Sequence, residues 1–253
     1  MSQKEYRTAV AAQGGLLSVS GTGPVAFGDR VEVRDGRGRL RTGQVIRSGE
    51  DGVLIQMFEG TDDLDLESTW VRFLDQPLEL SLSPEILGRV FNGLCEPRDD
   101  RPPIACGLQR PIAGAPINPA ARHYPREFIQ TGISTIDGLN SLVRGQKLPI
   151  FTASGLPHNR LAAQIVRQAR LPGEASNFAI VFAAMGVSYT DARFFQESFS
   201  DSGVLGNVVM FINHADEPPV ASLALPRVAP TPAANLAFAP YRPRLVVMTE
   251  MTN

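Results

Sequence analysis

Residues 152–159 read Thr-Ala-Ser-Gly-Leu-Pro-His-Asn, and their types and spacing bear on phosphate chemistry. An apolar run, 148–151, leads in, and a helix-forming run, 159–170, leads out. Strand, tight loop and helix is the order in which backbone N–H groups at a helix N-terminus face a phosphate. On the pattern Gly-x-x-x-x-Gly-Lys-Ser/Thr, Thr152 takes the first glycine, Pro157 the second, His158 the lysine and Asn159 the hydroxyl residue. Each change removes something. Pro157 has no N–H to offer. His158 replaces a permanent ammonium with an imidazole whose charge depends on pH. Asn159 lacks the hydroxyl that holds Mg²⁺ in such loops. The residues Ser154, Gly155, Leu156, Pro157, His158, Asn159 and Arg160 therefore predict a nucleotide-enzyme loop that keeps its shape and does not hydrolyse efficiently. For His158 a phosphate contact and a neutral structural role both stand open. For Arg160 the alternatives are phosphate and solvent.

The elements that must position this loop follow from the hydrophobic pattern. From residue 147 onward, strands are predicted at 148–153, 178–184, 208–212 and 244–248, with helices at 159–170 and 188–200. Continuous apolar strands between helices imply a parallel sheet buried on both faces. Ligands on such sheets sit at the carboxyl ends of the strands, where the loop lies.

Residues 1–74 have a different texture. Alternating Asp29-Arg30-Val31-Glu32-Val33-Arg34, a turn at Asp35-Gly36, and further strands at 41–47 and 53–58 predict a small β-barrel. The acidic group Asp62, Asp63, Asp65 and Glu67 is read as a solvated loop rather than a cation site. Beyond residue 75, Ser83 and Pro84 start a short helix over 82–90, as N-cap and first helical position. The Pro-, Gly- and Arg-rich stretch 96–125 predicts a long connection that is either functional, draped on the surface or ordered by a partner. The resulting organisation is a β-barrel over 1–74 and a partial P-loop α/β domain over 75–253.

Composition narrows the class. The 253 residues carry a formal charge of −2 and are 43% hydrophobic, so neither a polyanion nor a membrane surface is indicated as a direct partner. No apolar run approaches the roughly 20 residues of a membrane span, and Met1 to Tyr6 do not resemble a signal peptide. A cytoplasmic, soluble chain is predicted. Cys95 and Cys106 are read as two reduced thiols. The three histidines are scattered, so no tightly bound metal is predicted. Arg122, His123, Tyr124 and Arg126 form a basic aromatic cluster that suits a subunit interface or packed loop better than nucleic acid. His214 beside Asp216 lacks a nucleophile and is read as a loop contact.

Several motifs, in order, resemble one family. They are Phe58-Glu59-Gly60-Thr61, Leu87-Gly88-Arg89-Val90-Phe91-Asn92-Gly93 and Gly114-Ala115-Pro116-Ile117-Asn118-Pro119. With them go Thr131-Gly132-Ile133-Ser134-Thr135-Ile136-Asp137-Gly138-Leu139-Asn140 within 129–151, then Ser154 to Asn159, and Met248-Thr249-Glu250-Met251-Thr252-Asn253. They resemble the B subunit of V-type and archaeal-type rotary ATPases. The related F-type α subunits and type III secretion ATPases keep a lysine in the loop, which favours the B subunit. The resemblance implies a non-catalytic, regulatory subunit that alternates with catalytic A subunits in a hexameric ring. It further implies contacts with central and peripheral stalk subunits, membrane association only through the complex, and a non-catalytic site for ATP or ADP with Mg²⁺. It places Glu250 at the end of the Walker B strand, where the family usually has Asp. A metal-water ligand and an ordinary strand-end carboxylate both remain open for Glu250. Arg227, in Leu225-Pro226-Arg227, matches an arginine of the family, and an intersubunit role stands open for it.

Two departures are expected. The chain stops at Asn253, so the rest of the nucleotide domain, the C-terminal helical domain and a downstream arginine-finger residue are expected to be absent. Pro218, Pro219, Pro226, Pro230, Pro232, Pro240 and Pro243 fall where the family has a long helix. At about 3 kcal/mol per interior proline, at most two turns over 231–239 are predicted, with Thr231 as N-cap. Three functions follow: a rotary-ATPase B subunit that docks to A, a free-standing P-loop enzyme that would need the missing lysine, or a degenerate interaction fragment.

Overall fold

The computed structural model describes residues 5–104, 107–114, 120, 124, 126–172, 178–233 and 244–251. The chain divides into two compact units, Met1–Glu79 with Asp216–Ala224, and Leu80–Ala215 with Leu225–Asn253.

In the first unit, strands β1 (Glu5–Tyr6), β2 (Ala9–Gln13), β3 (Leu16–Val19), β4 (Asp29–Arg34), β5 (Leu40–Gly49), β6 (Gly52–Met57) and β7 (Trp70–Pro77) form one sheet. Their order is β1-β7-β4-β5-β6-β3-β2. The two end strands, β1 and β2, are separated only by Arg7 and Thr8, so the sheet must curl round on itself, as in a barrel. Alternation does the rest. Val31, Val33, Val45, Ile55, Met57, Val71 and Phe73 point to one side and make its core. The β4–β5 turn is held by Asp35, whose carboxylate accepts from the Arg37 and Arg39 backbone N–H groups at 3.0 and 2.9 Å. In the acidic loop, Asp65 accepts from Glu67 N at 3.2 Å and Ser68 Oγ at 2.5 Å, a turn-forming role.

The second unit carries β8 (Glu79–Leu82), a 3₁₀ turn at Pro84–Ile86, β9 (Val90–Phe91), β10 (Leu108–Pro111) and β11 (Phe128–Ile129). After these come α1 (Ser134–Leu139), β12 (Leu142–Val143), α2 (His158–Gln168), β13 (Ala179–Val187), α3 (Tyr189–Asp201) and β14 (Val208–His214). The last elements are α4 (Pro219–Val228), whose first residues belong to the first unit, and β15 (Arg244–Thr249). The sheet β15-β13-β14-β9 is parallel throughout. Its register runs Ala179 opposite Arg244 and Ile180 opposite Val208. Every residue of β14 is buried, as expected for a strand covered on both faces. Phe182 meets Phe195 and Phe199 of α3 at ring-centroid distances of 4.5 and 5.2 Å, and Ala163 and Val166 of α2 close the same core. Beside β9, Arg89 is 6% exposed and donates through Nε and Nη2 to Asp99 at 2.9 and 2.8 Å. That pair holds Asp99 below the usual carboxylate range. Ser83 caps the 3₁₀ turn, accepting from Glu85 N at 3.0 Å with Pro84 in the first turn.

Four expectations change. The helix expected over 82–90 shrinks to the 3₁₀ turn Pro84–Ile86, with Leu82 in β8 and Val90 in β9. The run 148–153 is not a strand: it joins no ladder among the described residues, and Ile150 and Phe151 are 46% and 85% exposed. Apolarity alone does not make a strand without a hydrogen-bonding neighbour, and Pro149 has no N–H to give one. Within 96–125, Leu108–Pro111 is β10 and pairs with β8. The proline-rich region does form a helix. Pro219 stands at its start, where a missing N–H costs nothing, and Pro226 lies inside it. Burial of Ala221, Ala224, Leu225, Val228 and Ala229 offsets the lost bond. Thr231 is not an N-cap here. Its hydroxyl donates back to the Arg227 carbonyl at 3.0 Å, while 234–239 lie outside the described residues.

Candidate functional site

The loop Ser154–Pro157 is exposed along its length and turns into α2 at Pro157. Gly155 sits at φ +85° with nothing within 4 Å of where a Cβ would project. Pro157 is the N-cap residue of α2 (φ −80°, ψ 51°) and supplies no side-chain cap, so the first-turn N–H groups are left for solvent or a ligand. His158 N does not join them. It donates to Leu156 O at 2.8 Å, folding the loop back on itself.

The His158 ring has two oxygen neighbours: Leu156 O lies 2.9 Å from Nδ1 and Glu250 Oε1 lies 2.6 Å from Nε2. A carbonyl and a carboxylate both accept, so the geometry is satisfied in full when both ring nitrogens carry hydrogens. Glu250 follows β15 directly and takes φ +59°, a left-handed conformation that a non-glycine residue rarely adopts. The side chains remain 35% and 26% exposed. This contact puts the loop at the carboxyl end of β15.

Asn159 is held from α3. Its Nδ2 donates to Asp191 Oδ1 at 3.1 Å, while its Oδ1 is buried with no hydrogen-bond partner. Asp191 in turn accepts from Ser188 Oγ at 2.7 Å, and Ser188 Oγ accepts from Asp191 N at 3.1 Å. Sequence reading passed over Asp191, although Ser188-x-x-Asp191 at the start of a predicted helix is a capping-box pattern that could have located it. Thr249 Oγ1, one residue before Glu250, is also buried without a partner. Leu245 and Val247 pack into the core shared with α2 and α3, so strand alternation puts Thr249 on that same face.

The segment before the loop is anchored by Asp137. Its carboxylate accepts from Thr131 N, Thr131 Oγ1 and Gly132 N at 2.9, 2.7 and 3.0 Å. Burial alone would raise this carboxyl, but the three hydrogen bonds outweigh it and hold it below its usual range.

Other residues singled out from the sequence make none of these contacts. Arg160 and Arg167 are exposed on α2, and Arg167 borders an open cleft with Gln130, Gly132 and Arg170. His214 stacks on Tyr189 at 4.0 Å between ring centroids. Arg227 is exposed in the last turn of α4. Tyr124 and Arg126 are exposed, whereas Arg122, His123 and Cys106 lie outside the described residues. Cys95 is a free thiol whose burial raises its pKa. No helix among the described residues is long and apolar enough to cross a membrane.

A family model described as the nucleotide-binding domain of the ATP synthase alpha/beta family matches residues 132–253. A second, the beta-barrel domain of the same family, matches 10–75. Over all 253 residues the chain is 64% identical to the V-type ATP synthase beta chain of Nitrosococcus oceani, covering 53% of that protein. Over 250 residues it is 50% identical to the B subunit of the A-type ATP synthase of Methanopyrus kandleri, covering 25% of it. To the Aeropyrum pernix protein of the same description it is 49% identical, covering 54%. The chain thus spans about half the length of two of these relatives and a quarter of the third.

Proposed function

Because this chain belongs to the ATP synthase alpha/beta family, we propose that it works as, or as part of, the non-catalytic regulatory B subunit of a V/A-type ATP synthase. In this reading ATP or ADP is held by Ser154, Gly155, Leu156, Pro157, His158, Asn159 and Arg160 and is not hydrolysed there. The chain sits between catalytic A subunits in an alternating ring, with central and peripheral stalk subunits. It meets the membrane only through that complex, on its cytoplasmic face, and supports proton or sodium transport coupled to ATP synthesis or hydrolysis. The supporting observation is the uncapped N-terminus of α2 lying beside the carboxyl end of β15, tied there by His158 and Glu250. Phosphate recognition uses that end of a helix.

The residues fit a nucleotide better than they fit catalysis. Gly155 leaves open space for a phosphate beside the loop, yet Pro157 has no N–H and the N–H of His158 is turned to Leu156 O. With His158 at the lysine position, residues 154–160 carry no fixed ammonium. For Mg²⁺, Asn159 Oδ1 lacks a hydrogen-bond partner but is buried, and Glu250 is engaged by His158. Mg²⁺ would arrive with the nucleotide's phosphates rather than be held by this chain.

A second reading, a nucleotide-binding or interaction fragment without rotary function, draws on the exposed Ile150 and Phe151 of the loop's lead-in. Co-expression with a catalytic A subunit separates the two. A native mass fitting an alternating assembly supports the ring subunit. A chain that purifies alone or aggregates leaves only the fragment reading.

A further inference from the structure

The contact between His158 and Glu250 has a consequence for whatever binds the loop. Both polar atoms of the imidazole are in use, Nδ1 on Leu156 O within the loop and Nε2 on Glu250 Oε1. A phosphate oxygen can reach this ring only by taking Nε2 from Glu250. The carboxylate is itself an anion, so it and a phosphate repel each other at that position. We propose that Glu250 is an internal competitor of phosphate: its carboxylate occupies the His158 imidazole and must be displaced for a nucleotide to bind in full. The proposal rests on the nucleotide-loop reading above.

Three features carry it. The left-handed backbone at Glu250, φ +59°, turns the chain at the end of β15 where its carboxylate meets α2. The pair is partly open to solvent, with side chains 35% and 26% exposed, so an incoming anion has access. Length matters as well. The 2.6 Å contact is made by a glutamate, and an aspartate, one methylene shorter, would not reach His158 from the same backbone. Among the described residues, Arg160 is exposed in the first turn of α2 and Asp191 is committed to Asn159 and Ser188. Neither is bonded to the His158 ring, whose Nε2 is taken by Glu250.

The test is ADP binding to the full chain by titration calorimetry, with Glu250→Gln and Glu250→Asp beside the unaltered protein. Both substitutions are expected to tighten ADP binding by roughly fivefold, the scale of a charge-assisted hydrogen bond discounted for solvent exposure. In the unaltered chain, ADP is also expected to shift the His158 ring nitrogen resonances, assigned with His158→Gln. This second readout stands even if a Glu250 variant fails to fold. Unchanged or weaker ADP binding in folded variants overturns the proposal, as does ADP binding that leaves the His158 signals in place. Absence of ADP binding in the unaltered chain and both folded variants overturns the nucleotide-loop reading itself, and the proposal with it.

Discussion

His158 Nε2 and Glu250 Oε1 stand 92 positions apart in the chain and 2.6 Å apart in space. The bond joins the first turn of α2 to the end of β15, and so fixes where residues 154–157 sit against that strand. Its value to stability is small. With the two side chains 35% and 26% exposed, His158→Ala is expected to cost under about 1 kcal/mol. Thermal melts would then shift by roughly 2–4 °C at most. A loss several times larger would mean that the pair supports the fold rather than merely closing the loop.

Restoring the lysine is not expected to restore chemistry. His158→Lys supplies the ammonium, but Pro157 still withholds an N–H and Asn159 still lacks a hydroxyl. Phosphate release from ATP should stay at background in the isolated variant. Measurable turnover would show that the imidazole alone had silenced the loop.

Asp191 joins two jobs: its carboxylate orients the Ser188 hydroxyl that caps α3, and it holds Asn159. Asp191→Ala keeps the capped N–H but removes both side-chain hydrogen bonds, and should cost about 1 kcal/mol. It should also release the Asn159 side chain. Chemical denaturation and the Asn159 side-chain amide signals check both halves, and an unmoved Asn159 signal would contradict the second.

Asp137 predicts an acid-sensitive segment. Its folded carboxyl lies below the ordinary value because three hydrogen bonds from Thr131 and Gly132 outweigh burial. A depressed folded pKa contributes stability that is fully present above the unfolded value, about 3.9. That stability is lost as pH falls through the lower folded value. Asp99, held down by its hydrogen bonds from Arg89, acts in the same direction. Asp137→Asn should lower stability at pH 7 by about 1–2 kcal/mol, since the amide oxygen can keep the two Thr131 bonds but the amide nitrogen cannot accept from Gly132. It should also flatten the fall in stability below pH 4. Melts from pH 7 to pH 3 that run parallel for the two proteins would refute this assignment.

The aromatic core between β13 and α3 is the mechanical base of the site. Phe195 is fully buried and packs on Phe182 at 4.5 Å between centroids. Phe195→Ala should cost about 3–5 kcal/mol, read as a lower urea midpoint. A cost below 1 kcal/mol would mean that the core repacks around the void.

Much of this molecule is written locally. Alternation over Asp29–Arg34, the continuous apolar runs of β13 and β14, and the order of loop and α2 each depend on residues close in the chain. Side-chain period and turn chemistry act over a few positions, so barrel and parallel sheet could both be read without coordinates. The lost lysine, hydroxyl and N–H at residues 157–159 were legible for the same reason. What only the tertiary structure decided involves partners distant in sequence. Residues 148–153 resemble a strand in composition, but a ladder needs a neighbour, and none among the described residues pairs with them. The interior proline of α4 was tolerated because the helix buries Leu225 and Val228, and burial is not a local property. The reach of Glu250 to His158, and of Asp191 to Asn159, depends on how β15 and α3 register against α2 through the shared core. Hydrogen bonds between residues so far apart are set by packing, which no motif spacing records.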